Sequence, residues 1–288
     1  MKIQPPGGVF VTGSPRSGTS WVGHMLALSP NTTYLHEPLN RRFTVEHFKE
    51  EPFPYQFMHL NKQNENQYLD KINRMIGLLP GTDARVVRES VPIIKDPIAV
   101  FSTEWFAHTY NLEVVFMIRH PGAFIKSFLT LDWNADPKVF LRQESLMKTF
   151  LSDHYAELRK YQNQDNKLAW AALMWKMIYT VAKIFRERNP NWIFIRHEDL
   201  SKNPKDGFKA IYSQIGLEYT DRLARDITSY SSSKNPTHPR NHWDINRNSQ
   251  NAINTWFDYF TRDQIAEIRE IVEPLSSIYY QDKEWPCR

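Results

Sequence analysis

The chain has 288 residues, 41% of them hydrophobic and 24% charged, with a formal net charge of +4. This composition excludes a disordered chain and allows one large buried core, while the mild positive charge suits an anionic ligand without pointing to nucleic acid. A single cysteine, Cys287, excludes an internal disulfide framework and fits a reducing compartment, so a cytoplasmic location is expected.

Met1 to Gly8 is short and holds two prolines, so no leader is expected there. Val9, Phe10 and Val11 then form an apolar, β-favouring run, and a strand is expected over about Val9–Thr12. It runs into Gly13-Ser14-Pro15-Arg16-Ser17-Gly18-Thr19-Ser20. The two glycines permit a tight turn and close approach to a ligand. Arg16 brings a fixed charge, and Ser14, Ser17, Thr19 and Ser20 bring hydroxyls. A helix from Trp21 to about Ser29 would aim its N-terminus at this loop, which makes an anion site. A nucleoside-triphosphate loop reads G-x-x-x-x-G-K-[ST]. Gly13 and Gly18 keep that spacing, but Thr19 stands where the lysine belongs. The loop therefore suits a phosphate and is poorly equipped for a triphosphate.

Thr33–Leu35 reads as a short second strand, and it leads into His36-Glu37-Pro38. Residues 40–80 are polar and mixed, with helical stretches. Ile93 and Ile94 close a third strand before Lys95-Asp96-Pro97, and a helix follows over about 98–110. Glu113–Ile118 is the clearest buried strand. It ends at Arg119-His120-Pro121, with Pro121 suited to the first position of a helix. Ser127 lies two helical turns on. Residues 137–189 read as two long helices. Trp192–Ile195 is a further strand, ending in Arg196-His197-Glu198-Asp199-Leu200, and helices are expected over about 204–230 and 261–273. Strand and helix alternate, so the expected fold is α/β: a P-loop-like three-layer domain spanning 1–288, with a central parallel sheet flanked by helices. In such sheets ligands bind at the carboxyl ends of the strands. There an arginine fork at Arg119 and the Ser127 hydroxyl would clamp a second phosphate. Residues 231–256 carry six Asn and the basic Lys234, Arg240 and Arg247. They read as a loop that is either functional or mobile.

Two stretches together, Gly13-Ser-Pro-Arg-Ser-Gly-Thr-Ser-Trp21 and Arg119-His-Pro-Gly-Ala-Phe-Ile-Lys-Ser127, resemble the sulfotransferase family, whose donor is 3′-phosphoadenosine 5′-phosphosulfate (PAPS). Lys95-Asp96-Pro97 and Arg196-His-Glu-Asp-Leu200 extend the resemblance over about residues 9–200. It implies that the first loop holds the 5′-phosphosulfate and that Arg119 and Ser127 hold the 3′-phosphate. It also accounts for the absent lysine, because a sulfuryl group carries less negative charge than a γ-phosphoryl. The product would be 3′-phosphoadenosine 5′-phosphate (PAP).

Transfer to an alcohol or amine needs a base for the acceptor proton. Both His36 and Glu37 suit that role. On an extended strand neighbouring side chains face opposite ways, so only one of the two should face the donor. Resemblance to tyrosylprotein and glycan sulfotransferases favours Glu37. The same resemblance implies that Lys95 stabilises charge on the sulfuryl and bridging oxygens, with Arg16 on the 5′-phosphate. His197 stands where many relatives carry a tyrosine near the adenine. Thr255 stands where relatives often carry a basic residue before the tryptophan matching Trp256, so Arg240 or Arg247 from the late loop would substitute. No histidine, cysteine or carboxylate set has metal-ligand spacing, so no metal is expected. Residues 40–80 and 130–165, with Arg41, Arg42, Tyr55, Phe57 and Trp133 as candidates, would shape a pocket for a small-molecule or glycan acceptor. Competing readings are a P-loop small-molecule kinase and a non-catalytic nucleotide-binding relative.

Overall fold

A computed structural model describes residues 7–77, 90–133, 136–232, 235 and 253–286. Five parallel strands form the central sheet: β1 (Val9–Gly13), β2 (Thr32–His36), β3 (Val91–Lys95), β4 (Glu113–Ile118) and β5 (Ile193–Arg196). Their spatial order is β2-β3-β1-β4-β5, with β1 in the middle. Because every pairing is parallel, all five carboxyl ends lie along one edge of the sheet. Register sets Val11 beside Lys95 and Gly13 beside Met117, and His36 beside Lys95.

The β-branched and aromatic runs of β1, β3 and β4 are buried throughout apart from Glu113, as a sheet covered on both faces requires. Alternation sorts their side chains. Phe10, Ile94, Val114, Phe116 and Ile118 join the larger core. It includes α3 (Leu69–Ile76), α4 (Thr103–Tyr110), α5 (Pro121–Thr130), α7 (Lys167–Arg188) and α11 (Arg262–Val272). Val9, Val11, Ile93, Val115 and Met117 face the smaller core against α1 (Thr19–Leu26), α9 (Pro204–Ile215) and α10 (Asp221–Tyr230). Helix α7 is the one described helix long and apolar enough to cross a membrane. Here it is a core helix, with Trp175, Met177, Ile178 and Tyr179 wholly buried.

The expected strands agree with the observed ones to within two residues. The two long helices expected over 137–189 do not. Only α7 is long, starting after the Asn166 N-cap, whose side chain accepts from Ala169 N at 3.0 Å. The preceding stretch breaks into single turns at Lys138–Leu141 and Glu144–Leu146, a π-helical turn at Met147–Leu151, and α6 (Tyr155–Tyr161). The break comes at Gln143, where the backbone leaves the helical region (φ −104°, ψ 87°). Its buried amide accepts from His59 N at 3.0 Å and donates to Phe57 O at 3.1 Å. A tertiary bridge thus outweighs local helix propensity. Likewise His197-Glu198-Asp199-Leu200, expected as a strand end, opens the short helix α8 (His197–Lys202). Helix α2 (Arg41–Glu46) completes the set, capped by Asn40, whose side chain accepts from Arg42 N at 3.1 Å.

Candidate active site

The loop after β1 turns back into α1 through three left-handed residues, Gly13 (φ 139°), Arg16 (φ 67°) and Gly18 (φ 93°). The glycines answer to packing as well as to φ. A Cβ at Gly13 would overlap the Met117 carbonyl, and one at Gly18 would sit 2.6 Å from the His197 ring. Helix α1 starts at Thr19 with Gly18 as its N-cap and no side-chain cap. Its first N–H groups therefore remain as anion donors.

Several hydroxyls read as ligand donors serve the loop itself. Ser14 Oγ is hydrogen bonded to Tyr179 OH at 2.9 Å, and Ser17 Oγ donates to Ser14 O at 2.6 Å. Ser14, Pro15, Ser17 and Thr19 are buried, whereas Arg16, Gly18 and Ser20 are half-buried. The Ser20 carbonyl lies 2.9 Å from His24 Nδ1.

Arg119 follows β4 and is locked from α7: its N–H donates to Tyr179 OH at 2.8 Å, and its carbonyl accepts from Trp175 Nε1 at 2.8 Å. Its guanidinium donates to the Arg16 carbonyl, while its buried Nε has no hydrogen-bond partner. Arg16 Nε in turn donates to Ser127 Oγ on α5 at 3.0 Å, and its guanidinium lies 5.9 Å from the Trp133 ring centroid. The loop thus forms one constellation with an arginine and a serine that lie more than a hundred residues further along the chain. A buried Arg119 N–H without a partner, in a constellation that also carries the Arg16 guanidinium, fits an anion. His197, first residue of α8, packs against Gly18 and edge-on to Trp21 at 6.0 Å.

At the next strand ends the side chains of Lys95 and Glu37 form a buried ion pair. Lys95 closes β3 and its side chain is wholly inaccessible. Glu37 follows β2 with a left-handed backbone (φ 46°). Its N–H donates to Lys95 O at 2.7 Å, and its Oε2 accepts from Asn40 Nδ2 at 2.6 Å. Burial would push the Glu37 carboxyl up, but the Lys95 ammonium overrides it and holds the pKa below the usual carboxylate value. His36 Nε2 lies 3.5 Å from Lys95 Nζ and 3.8 Å from Glu37 Oε1. The alternation argument for one inward-facing side chain fails here, because strand geometry ends at His36 and the left-handed turn at Glu37 brings both groups to the same lysine. Asp96 faces elsewhere, accepting from Leu39 N at 2.7 Å, Ile98 N at 2.9 Å and Ala99 N at 3.2 Å.

Among the other candidates, Phe57 is core, packed on Phe101, and Arg42 pairs with Glu46. Arg41 is exposed and Tyr55 half-buried. Trp133, 42% exposed, stands beside Arg16. Arg240 and Arg247 lie outside the described residues, as does most of 231–256. At the described end of that segment Trp256 is seated on Gly122, and Lys126 Nζ donates to Thr255 O at 2.7 Å. Lys126 adjoins Ser127, and its contact with Thr255 shows only in three dimensions. The same holds for Tyr179, mid-way along an apolar helix. Asn40 was open to detection as an N-cap three residues beyond Glu37. Among the described residues no group of three His, Cys, Asp or Glu is placed to hold a metal ion.

A parallel sheet with an anion-receiving loop after its central strand, and charged side chains along its carboxyl edge, defines a P-loop-like α/β enzyme. The sulfotransferase domain family matches residues 6–279, so the chain belongs to that family and is a sulfotransferase. The fold superposes on the sulfotransferase domain from the curacin biosynthetic pathway with a TM-score of 0.57 at 15% identity, covering 99% of this chain and 100% of that one. It also resembles the sulfotransferase domain from the Synechococcus PCC 7002 olefin synthase, with a TM-score of 0.53, 17% identity and 98% of both chains covered. No curated protein sequence gives a significant match.

Proposed function

We propose that the chain acts as a single catalytic domain that moves a sulfuryl group from PAPS to a hydroxyl or amine of a small-molecule metabolite or sugar. The cytoplasm as its compartment belongs to the same reading, which the single cysteine supports. The observation that carries the proposal is the pairing of a buried carboxylate with a buried ammonium, Glu37 with Lys95, at the sheet edge that also bears the anion loop.

Glu37 takes the acceptor proton as the acceptor oxygen or nitrogen forms its bond to sulfur. The bond from sulfur to the phosphate oxygen breaks, and its electron pair leaves on that oxygen as PAP. Lys95, Arg16 and the N–H groups at the start of α1 offset the charge that builds there. Arg119 and Ser127 hold the second phosphate, and His197 and Trp21 border the purine. Lys126 is an additional cation for the second phosphate, supported by its place beside Ser127 and Thr255. No metal takes part in this scheme.

Titration calorimetry tests the donor: PAP should bind without Mg²⁺, and tight binding of ATP–Mg²⁺ without PAP binding would favour a kinase. An acceptor screen with PAPS, read by mass spectrometry for a gain of one sulfuryl group, tests the transfer. A Glu37→Gln variant should still bind PAP while kcat falls by about 10²–10⁴-fold, the usual worth of a general base. Equal transfer by this variant and the parent removes Glu37 from its role.

A further inference from the structure

Lys95 depends on Glu37 at the moment Glu37 is least able to help it. The ammonium is fully buried and its ion partner is the Glu37 carboxylate. If Glu37 is the base, it loses its charge on taking the acceptor proton, while Lys95 keeps its own. Lys95 then keeps only the reacting group and any second protein acceptor as partners, and such an acceptor would hold the ammonium in place as its carboxylate partner is neutralised.

We propose that His36 and Tyr34 form a positioning chain for Lys95, with His36 serving as a neutral hydrogen-bond acceptor for the lysine and not as the base. This rests on the reading of Lys95 and Glu37 given above. His36 Nε2 lies 3.5 Å from Lys95 Nζ, and His36 Nδ1 lies 3.3 Å from Tyr34 OH. An ammonium has only donors, so the ring nitrogen that faces it must be bare. The proton of the neutral ring then sits on Nδ1 and is donated to the Tyr34 oxygen. The Tyr34 hydroxyl can accept that proton, so the tautomer that Lys95 requires is satisfied at its other nitrogen.

The scaffold is built around this line. Tyr34 and His36 are alternate residues of edge strand β2, so they share one face. The register sets His36 directly beside Lys95. From the other side α1 carries Gly23, where a Cβ would sit 2.9 Å from the Tyr34 ring and 3.1 Å from Lys95 Cβ. The lysine stem and the tyrosine ring therefore pass against a bare helix backbone. The His36 ring is further held edge-on by Phe43 at 5.1 Å, and Tyr34 packs on His24 at 4.4 Å. The charged and titratable groups around His36 are Lys95 on β3, Glu37, His24 on α1 and His47 after α2. Burial first, then the Lys95 charge, lower its pKa to about 4 against the opposing pull of Glu37. A neutral imidazole at working pH is what an acceptor for an ammonium requires.

The first test needs neither donor nor acceptor. Nitrogen-15 NMR of the full chain labelled at histidine, with His36 assigned by its loss in His36→Gln, should show at pH 7 a bare Nε2 and a protonated Nδ1. A ring protonated on Nε2, or on both nitrogens, overturns the proposal whatever becomes of the transferase reading. The second test uses PAPS and the acceptor found by screening. His36→Phe should lower kcat about tenfold or more, the worth of one hydrogen bond to a charge, with the acceptor KM unchanged. His36→Gln returns an acceptor at the same reach and should recover most of that loss, and Tyr34→Phe should fall between them. If His36→Gln falls as far as Glu37→Gln, His36 is the base and the proposal fails. If a folded His36→Phe transfers like the parent, the chain has no positioning role.

Discussion

The Arg16 guanidinium is hydrogen bonded through Nε to Ser127 Oγ at 3.0 Å, so the cation of the first loop reaches the serine on the next strand's helix. The loop after β1, Arg119 and Ser127 are therefore one connected constellation, with the Arg119 guanidinium closing it onto the Arg16 carbonyl.

Ser127→Ala should weaken PAP binding by about threefold to tenfold, one hydrogen bond's worth, and adenosine 5′-monophosphate binding by less, since Ser127 reaches the 5′-phosphate only through Arg16. Calorimetry with the two nucleotides measures this directly. An equal loss for both would place Ser127 outside the 3′-phosphate contact.

The pH dependence follows from Glu37. Its pKa is lowered in the fold because Lys95 overrides burial, and a base must be ionised to work. The acid limb of kcat/KM, which reports the free enzyme, should therefore lie below the ordinary carboxylate value of about 4.3, with activity flat across mildly acidic pH. The linked stability has the same sign: it is present above the unfolded carboxylate value and lost as pH falls through the lower folded one. Urea midpoints of the parent and Glu37→Gln, measured from neutral to acid pH, should converge as the pH drops. Midpoints that stay parallel would contradict the shift.

Gly18→Ala should destabilise the fold by about 1–3 kcal/mol, because φ at 93° is costly for any residue with a Cβ. The new methyl would also meet the His197 ring at 2.6 Å. Adding His197→Ala should recover the clash and not the backbone cost, so the double variant should melt between Gly18→Ala and the parent. Gly13→Ala should be worse, since its methyl meets the Met117 backbone, which has no side chain to move.

Tyr179→Phe removes one hydroxyl that serves both Ser14 and the Arg119 N–H. Leaving a buried N–H unpaired costs about 1–3 kcal/mol. Thermal unfolding should show that loss, and PAP affinity should fall with it because the same hydroxyl ties the loop to Arg119. Unchanged PAP affinity would mean that Ser14 and Arg119 keep their positions without it.

Much of this was legible in the chain. The apolar runs at Val9, Ile93 and Glu113 each marked a strand, because a strand buried on both faces must be apolar throughout. Gly13, Gly18 and Pro121 marked turns and a helix start through backbone preferences that belong to the residue itself. Gln143 was not legible as a helix breaker, since glutamine favours helix and its bridge to residues 57–59 exists only once those segments meet. Nor did the loop sequence reveal that the Ser14 and Ser17 hydroxyls serve the loop itself.

The sequence by itself therefore determined the order of the strands, the tight loop after the first of them and the residue types along the sheet edge, all of which follow from local pattern and composition. The tertiary structure alone decided how those residues pair. Glu37 meets Lys95 because β2 and β3 pair in parallel with His36 beside Lys95, and because the chain turns left-handed directly after. Neither the register of two distant strands nor a single positive φ at a non-glycine residue is written in periodicity, so the same dipeptide that read as two opposed side chains folds into two groups around one ammonium.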